Sequence, residues 1–312
     1  MQLSRLRVFA GLLLAALMAA PLWGANTPLP GTVNYVEGQA SLGGQALSSK
    51  SIGSVELRPG ESLSTENGMA EILLTPGVFL RLGDNSSVRM VSPRLTNTEV
   101  NLSRGRALVE ADQLYKANDV RVTVGNATTR LLKTGLYGFD ADRGEVRVFS
   151  GQAWVLEGER QVKVKGGRQV NINPAGKLKA AKFDKRSYEG DLYRFSKLRS
   201  DYLAQANAQA ARVYVNYGWW PGAGWWWNPW FGGYTFIPAA GVFYSPFGWS
   251  FYSPIVLGGR PYWGGRPYYY GPPHFGYYPG VRVPPGSPGF PHGPAMGAFH
   301  GPAGFHGGAI MR

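Results

Sequence analysis

Short apolar runs dominate residues 30–173, and turn-forming residues interrupt them every eight to twelve positions. The pattern is clearest in Val120–Val124, where three valines alternate with an arginine and a threonine. Alternation with a period of two places one face of a strand in a core and the other face in water. No run of ten or more residues in this range has helical periodicity. The range therefore predicts a mainly β domain, either a sandwich, a barrel or a solenoid of short strands.

Three segments of this range resemble the FecR domain family. Residues 57–68, Leu-Arg-Pro-Gly-Glu-Ser-Leu-Ser-Thr-Glu-Asn-Gly, are similar to the family's Leu-x-x-Gly-(Asp/Glu)-x-(Leu/Ile)-x-Thr turn. Residues 145–155 resemble its Val-x-Val-x-x-Gly-x-Val-x-Val hairpin, and residues 135–139 resemble the strand before it. The family has Thr where this chain has Leu136, and Val where it has Asp140. The resemblance implies a FecR-like β sandwich or solenoid of stacked antiparallel strands in the periplasm.

The best-known members of the FecR family are regulators of iron uptake, and they carry an anti-sigma segment before a single membrane span. Here seven residues precede the first apolar run. We therefore expect this chain to share the β module of those regulators rather than their cytoplasmic effector. A membrane-anchored module that passes signals through a partner is the alternative.

The first 25 residues have the pattern of an export signal. Arg5 and Arg7 precede an apolar run of 13 residues from Val8 to Ala20. That length is typical of a signal-peptide core and is shorter than the ~20 residues of a membrane-spanning helix. We expect cleavage after Ala25 and a location in the periplasm, at the outer membrane or outside the cell. An uncleaved anchor is the alternative.

Two segments follow the β domain. Residues 174–186 are basic without a strong period, which indicates a solvated linker, with a patch for an anionic surface as the alternative. Residues 187–216 carry apolar side chains at three- and four-residue steps and predict one long amphipathic helix. We expect this helix to pack on the β domain, and self-association through the helix is the alternative.

The composition changes abruptly near residue 210. Residues 211–312 contain no Asp, Glu or Lys, and they hold 22 of the chain's 44 Gly and 16 of its 23 Pro. An ordinary packed domain averages about 7% Gly and 5% Pro. We therefore expect an aromatic-rich segment at residues 217–267, followed by a Gly/Pro-rich disordered tail at residues 268–312.

The aromatic-rich segment supplies the candidate binding residues. They are Trp219, Trp220, Trp225, Trp226, Trp227, Trp230 and Tyr234. Exposed Trp and Tyr rings stack on flat ligands such as sugar rings and accept cations, so an envelope polysaccharide or another envelope protein is the expected partner. Two alternatives remain: the rings form the core of a small β appendage, or they lie at a membrane surface. Export and the presence of only five Arg beyond residue 210 argue against nucleic acid.

Residues suited to catalysis or metal binding are scarce. The chain has no Cys, and its four His all lie beyond residue 270. These facts exclude a thiol nucleophile and a zinc–thiolate site, and they exclude a Ser-His-Asp triad within the first 270 residues. The chain has no Gly-x-Ser-x-Gly elbow, no P-loop and no His-Glu-x-x-His motif. We therefore predict a non-catalytic exported envelope protein, without cofactor or metal site, that functions by binding or assembly.

Overall fold

The computed structural model describes residues 27–172, 178–217 and 222–258, and in these ranges it contains nineteen strands and two α-helices. The strands are β1 (Val33–Leu42), β2 (Gln45–Ala46), β3 (Ser62–Leu73), β4 (Val78–Leu82), β5 (Ser87–Arg94), β6 (Asn97–Arg104), β7 (Arg106–Ala111), β8 (Val120–Val124), β9 (Ala127–Leu131), β10 (Gly135–Asp140), β11 (Glu145–Val148), β12 (Gln152–Glu157), β13 (Arg160–Lys165), β14 (Arg168–Asn171), β15 (Ala181–Lys182), β16 (Gly224–Asn228), β17 (Gly233–Ile237), β18 (Val242–Tyr244) and β19 (Ser250–Tyr252). The helices are α1 (Asp191–Tyr217) and α2 (Pro254–Leu257). The predicted signal peptide, residues 173–177 and the predicted tail at 268–312 lie outside the described residues.

Strands β1 to β15 form one hydrogen-bonded sheet that branches at β3. The first residues of β3 pair with β5, and its last residues pair with β4. On its other edge β3 pairs with β1 along most of its length. On one side the order β5-β6-β8-β9-β12-β13 forms what we call the open layer. On the other side the order β4-β7-β10-β11-β14-β15 forms the covered layer. Among the described strands only β6 and β8 pair in parallel, because the chain crosses to β7 in the covered layer between them.

The two layers enclose one hydrophobic core. Val122 and Val124 of the open layer belong to the same buried cluster as Leu80 and Val109 of the covered layer. Burying one such side chain contributes about 1.5–3 kcal/mol. The alternation predicted for Val120–Val124 is confirmed, because all three valines are buried and the residues between them are half-buried. The chain is therefore mainly β, with stacked, mostly antiparallel strands as predicted.

The outer faces of the two layers differ. In the open layer, residues that point away from the core are half-buried or exposed, as in β8 and β9. In the covered layer, every residue of β4 and β10 is buried. A strand is buried on both faces only when another element covers its outer face. Helix α1 and the segment after it are that cover.

The predicted long helix is present, with slightly different bounds. A 3₁₀ turn occupies Arg186–Tyr188, and α1 begins at Asp191 rather than at residue 187. Leu192, Phe195 and Leu203 are buried, so the apolar stripe faces the covered layer. The described part of the aromatic-rich segment forms two hairpins, β16–β17 and β18–β19, followed by the short α2.

Candidate functional site

The outer face of the covered layer, together with the end of β3 that pairs with β4, carries buried charged side chains where the helix packs. Glu71 of β3, Arg81 of β4 and Glu110 of β7 are fully buried. Arg81 Nε donates to Glu71 Oε2 at 2.6 Å, and Arg81 Nη1 donates to Glu110 Oε2. Burial alone would lower the pKa of the Arg81 guanidinium, but the charges of Glu110 and Glu71 outweigh burial and raise it. Arg81 is therefore a permanent cation between two carboxylates.

Helix α1 completes this buried network. Arg199 Nη2 donates to Glu71 Oε1 at 2.8 Å, and Ser200 Oγ donates to Glu110 Oε1 at 2.5 Å. From β1, Asn34 Nδ2 also donates to Glu71 Oε1 at 2.8 Å. Successive helical residues thus bind the two carboxylates that Arg81 separates. The ion network, which we define as Glu71, Arg81, Glu110, Arg199 and Ser200, couples the position of α1 to the covered layer.

The electrostatics of Glu71 show why the network depends on the helix. Burial raises the pKa of the Glu71 carboxyl, but the charges of Arg199 and Arg81 outweigh burial and lower the pKa to about 2. Glu71 is therefore ionised at neutral pH. Removing one partner from a buried pair leaves an uncompensated charge, which costs about 3–5 kcal/mol. Displacement of α1 would carry a cost of this kind.

Asp112 lies directly after β7 and is a further buried acid that the sequence does not reveal. Its side chain is 1% exposed, and neither carboxylate oxygen accepts a hydrogen bond from the N–H and hydroxyl groups of the described residues. Burial, followed by the charge of Glu110, raises the pKa of Asp112 well above its ordinary value. A protonated carboxyl is a hydrogen-bond donor, so Asp112 is suited to share a proton with Glu110.

The aromatic rings of the two hairpins pack on the covered layer beside the ion network. The Trp225 ring meets Phe79 edge-on with 5.3 Å between centroids, and it meets Phe236 at 6.3 Å. Phe236 and Phe251 are fully buried. Edge-to-face pairs of this kind contribute about 0.5–1.5 kcal/mol beyond the area that they bury. The rings are therefore the core of a β appendage, which was one of the alternatives that the sequence left open.

Buried polar bonds fix the hairpins to α1. Asn207 Nδ2 donates to the Phe236 carbonyl at 2.9 Å, and Asn207 Oδ1 accepts from the Tyr252 amide at 2.7 Å. Thr235 Oγ1 donates to the Leu203 carbonyl at 2.6 Å. Asn207 is a polar residue in a helical run of Ala and Gln, so the sequence gives no sign that it is fully buried.

The candidate binding residues of the β16–β17 hairpin lie mostly in ring pairs. Trp226 packs on Tyr214 of α1 with 4.9 Å between centroids, and Trp227 packs on Tyr234 at 5.1 Å. Tyr234 is 7% exposed, and Trp225, Trp226 and Trp227 are half-buried. Burial leaves Tyr234 little surface on which a ligand could stack.

Trp230 differs from the other candidates. It lies in the turn between β16 and β17 and is 83% exposed. Trp219 and Trp220 lie outside the described residues. Binding of a glycan or protein by these aromatic residues stays a prediction, and Trp230 is the described candidate with a free ring.

Gly53 of the β domain lies directly against the rings of the β16–β17 hairpin. Its φ is +72°, and a Cβ at this position would lie 2.7 Å from Trp227 Cζ3 and 3.2 Å from Tyr234 Cε2. Only glycine combines this left-handed conformation with the lack of a side chain. The turn is therefore adapted to the ring that packs against it.

A cavity of about 380 Å³ lies where the 3₁₀ turn and the start of α1 meet β10 and β11. Arg147 and Tyr188 line it, with the guanidinium 3.7 Å from the centre of the ring. Burial lowers the pKa of Arg147, and Glu145 and Asp140 are its ion-pair partners. The cavity thus lies beside Arg147, whose charge is already paired with two carboxylates.

Within residues 27–172, 178–217 and 222–258, no group of three or more His, Cys, Asp or Glu is arranged to hold a metal ion. In the same ranges, neither α-helix has the length and hydropathy that crossing a bilayer requires.

Comparison with known proteins identifies the class of the β module. The model of the FecR protein family matches residues 61–159, a range that contains β3 to β12. The chain therefore carries a FecR domain, as the resemblance predicted. A search of curated proteins found no match.

Matches among solved structures include two crystal structures of a protein provisionally assigned as an anti-sigma factor, from Parabacteroides distasonis ATCC 8503. They are 17% and 16% identical to this chain, each with a TM-score of 0.36. Each match covers 41% of this chain and 62% of the solved one.

Proposed function

We propose that this chain is a non-catalytic, FecR-type regulatory module of the cell envelope that passes a signal on by binding a protein partner. The observation that carries the proposal is the FecR family match to residues 61–159. The matched strands supply most of the core between the two layers, so the match concerns the body of the fold rather than a peripheral motif.

The packing of the aromatic rings supports a role for the C-terminal hairpins within the module. An adhesive tail needs free rings, whereas Trp225, Phe236 and Phe251 form one cluster with Phe79 of β4. The segment thus extends the FecR domain and buries its outer face. A regulatory module with a fixed helix and fixed hairpins presents one shape to a partner, which favours recognition by shape.

Gene deletion in the host cell tests the proposal. Loss of the chain should change the transcript levels of a defined set of genes, and the full chain supplied in trans should restore them. A deletion strain with unchanged transcripts, but with altered retention of envelope polysaccharide, would contradict regulation and support the envelope-binding alternative.

Anchoring is tested by the N-terminus of the protein in cells. Intact Met1 in washed membranes would support a membrane-anchored module. A chain that begins at Asn26 in the periplasm or the medium would support a released one.

Envelope binding through the aromatic segment is the second candidate function, and the exposure of Trp230 is the observation that favours it. The test is sedimentation of the full chain with insoluble envelope glycans. Trp230→Ala should abolish sedimentation, because the other described candidates are half-buried or buried. Unchanged sedimentation would remove this candidate.

A further inference from the structure

The outer face of the open layer is a broad β surface. The outward-pointing residues of β8, β9 and β12 are all half-buried or exposed. Antiparallel sheets commonly keep one face in solvent, and exposure alone assigns no role. The strand register, however, places the charged and polar side chains of this face in ordered rows.

One row, which we call the cationic row, crosses five neighbouring strands. The register pairs Glu99 with Arg121, Arg121 with Arg130, Arg130 with Trp154, and Trp154 with Lys163. Neighbouring strands lie ~4.8 Å apart, so the cations from Lys163 to Arg121 extend over ~14 Å. That span exceeds a single ion pair and suits an extended ligand.

The cations of this row are held in place. Lys163 Nζ lies 4.8 Å from the centre of the Trp154 ring. Asp119 lies between the two arginines, 2.9 Å from Arg130 Nε and within hydrogen-bond reach of Arg121. The side chains of Arg121 and Arg130 are still 37% and 51% exposed. Groups that are already ordered lose less conformational entropy on binding.

A second row, which we call the polar row, lies two residues along the strands. The register pairs Asn101 with Thr123, Thr123 with Thr128, Thr128 with Leu156, and Leu156 with Gln161. The two threonine hydroxyls lie 3.1 Å apart. Amide and hydroxyl groups both donate and accept hydrogen bonds, as the hydroxyl groups of a sugar require.

We propose that the cationic row and the polar row form a binding face for a linear acidic polysaccharide. Carboxylates of the polymer pair with the exposed Lys163 ammonium, and its hydroxyl groups bond to the polar row. Arg130 and Arg121 are already paired with Asp119. Lys165, opposite Gln152 on the same face, adds a further cation. The face lies on the layer opposite the helix, so the site is separate from the one that carries the proposed function.

The chemistry of the face distinguishes this ligand from other polyanions. Single-stranded nucleic acid needs successive aromatic platforms, whereas these rows contain one ring, and it carries the Lys163 ammonium. A membrane surface needs several apolar side chains that enter the lipid, whereas the polar row offers Leu156 at 36% exposure. Neutral hydrogen-bonding groups beside fixed cations fit a polymer that bears both hydroxyl and carboxylate groups.

Isothermal titration of the full chain with polygalacturonate at low salt tests the proposal. The double change Lys163→Gln and Lys165→Gln should weaken binding about tenfold, because it removes two exposed ion pairs. The matched control, Lys50→Gln with Lys182→Gln, removes two exposed lysines elsewhere and should leave binding unchanged. Binding should weaken as salt rises, and uncharged dextran should not bind.

Further ligands separate the polysaccharide from the other polyanions. Gln161→Ala should weaken binding of polygalacturonate but not of polyglutamate, which lacks hydroxyl groups. The proposal is overturned by absence of polygalacturonate binding or by equal weakening in the control variant. Tighter binding to polyglutamate, single-stranded DNA or anionic vesicles would overturn it as well.

Discussion

Replacement of Arg199 by Met is expected to loosen α1 from the covered layer. Methionine keeps part of the apolar stem but lacks the guanidinium that donates to Glu71 at 2.8 Å. Glu71 is fully buried, so the change leaves a buried carboxylate whose remaining partners are Arg81 and Asn34.

The size of the effect follows from these partners. Removing one member of a buried ion pair costs about 3–5 kcal/mol. The lower end applies, because Arg81 Nε still donates to Glu71 at 2.6 Å. The Arg199 guanidinium also lies 4.2 Å from the centre of the Tyr35 ring, and loss of that contact adds about 1 kcal/mol. We expect the free energy of unfolding to fall by about 4 kcal/mol in total.

Urea denaturation, followed by circular dichroism and tryptophan fluorescence, measures this change. Arg194→Met is the matched control on the same helix, because the Arg194 side chain is 69% exposed and pairs with Asp191 on the surface. It should change the free energy of unfolding by less than about 0.5 kcal/mol. Equal losses in the two variants, or no loss in Arg199→Met, would refute the reasoning.

The same pair predicts sensitivity to acid. The pKa of Glu71 is about 2, below its ordinary value. A carboxyl with a lowered folded pKa contributes stability that is present above its unfolded pKa and is lost as the pH falls through its folded pKa. Between about pH 5 and pH 2, the native protein should lose about 3 kcal/mol through this group. Arg199→Met should lose less over that range, because its Glu71 pKa is closer to the ordinary value.

Three further changes probe the acid, the glycine turn and the rings. Asp112→Asn should reduce the pH dependence of the free energy of unfolding above pH 5. In the unmodified protein the raised pKa of Asp112 makes this free energy fall by up to ~1.4 kcal/mol per pH unit as the pH rises. If the urea midpoints of the variant and of the unmodified protein change equally with pH from 5 to 8, this reasoning is contradicted. Gly53→Ala should cost about 2 kcal/mol more than Gly43→Ala, because both have positive φ but Gly43 faces open space. Equal melting temperatures of these two variants would argue against the ring contact. Trp225→Ala should destabilise by about 3 kcal/mol, whereas Trp230→Ala should be nearly neutral in the same thermal melts.

Local patterns in the sequence predict the β domain and the helix because each depends on its own periodicity. Alternating valines identify the inner face of β8, and apolar steps of three and four identify α1. The ion network is not accessible in this way. Glu71, Arg81 and Glu110 occupy outward positions of their strands, which the two-residue period assigns to solvent. The packing of helix α1, 90 or more residues later along the chain, and of the segment after it buries them.

For the aromatic segment the sequence leaves packed and exposed rings as open alternatives. A run of tryptophans beside glycine and proline fits either rings exposed to a ligand or the core of a small β appendage, and the sequence carries no local sign of what the rings touch. The Trp225 ring packs on Phe79, and the Trp227 ring fits against Gly53 because this residue has no side chain. Both contacts join residues far apart in the chain, so they follow from the assembled fold rather than from composition.

Hydrogen–deuterium exchange of the full chain tests most directly whether the C-terminal hairpins and the FecR domain form one folded module. The amides of β17, whose residues are all buried, should be protected to within about tenfold of those of β4 and β7. Arg199→Met should reduce protection in α1 and β17 together. Exchange of β17 at the rate of an unfolded peptide, with β4 and β7 still protected, would contradict the account.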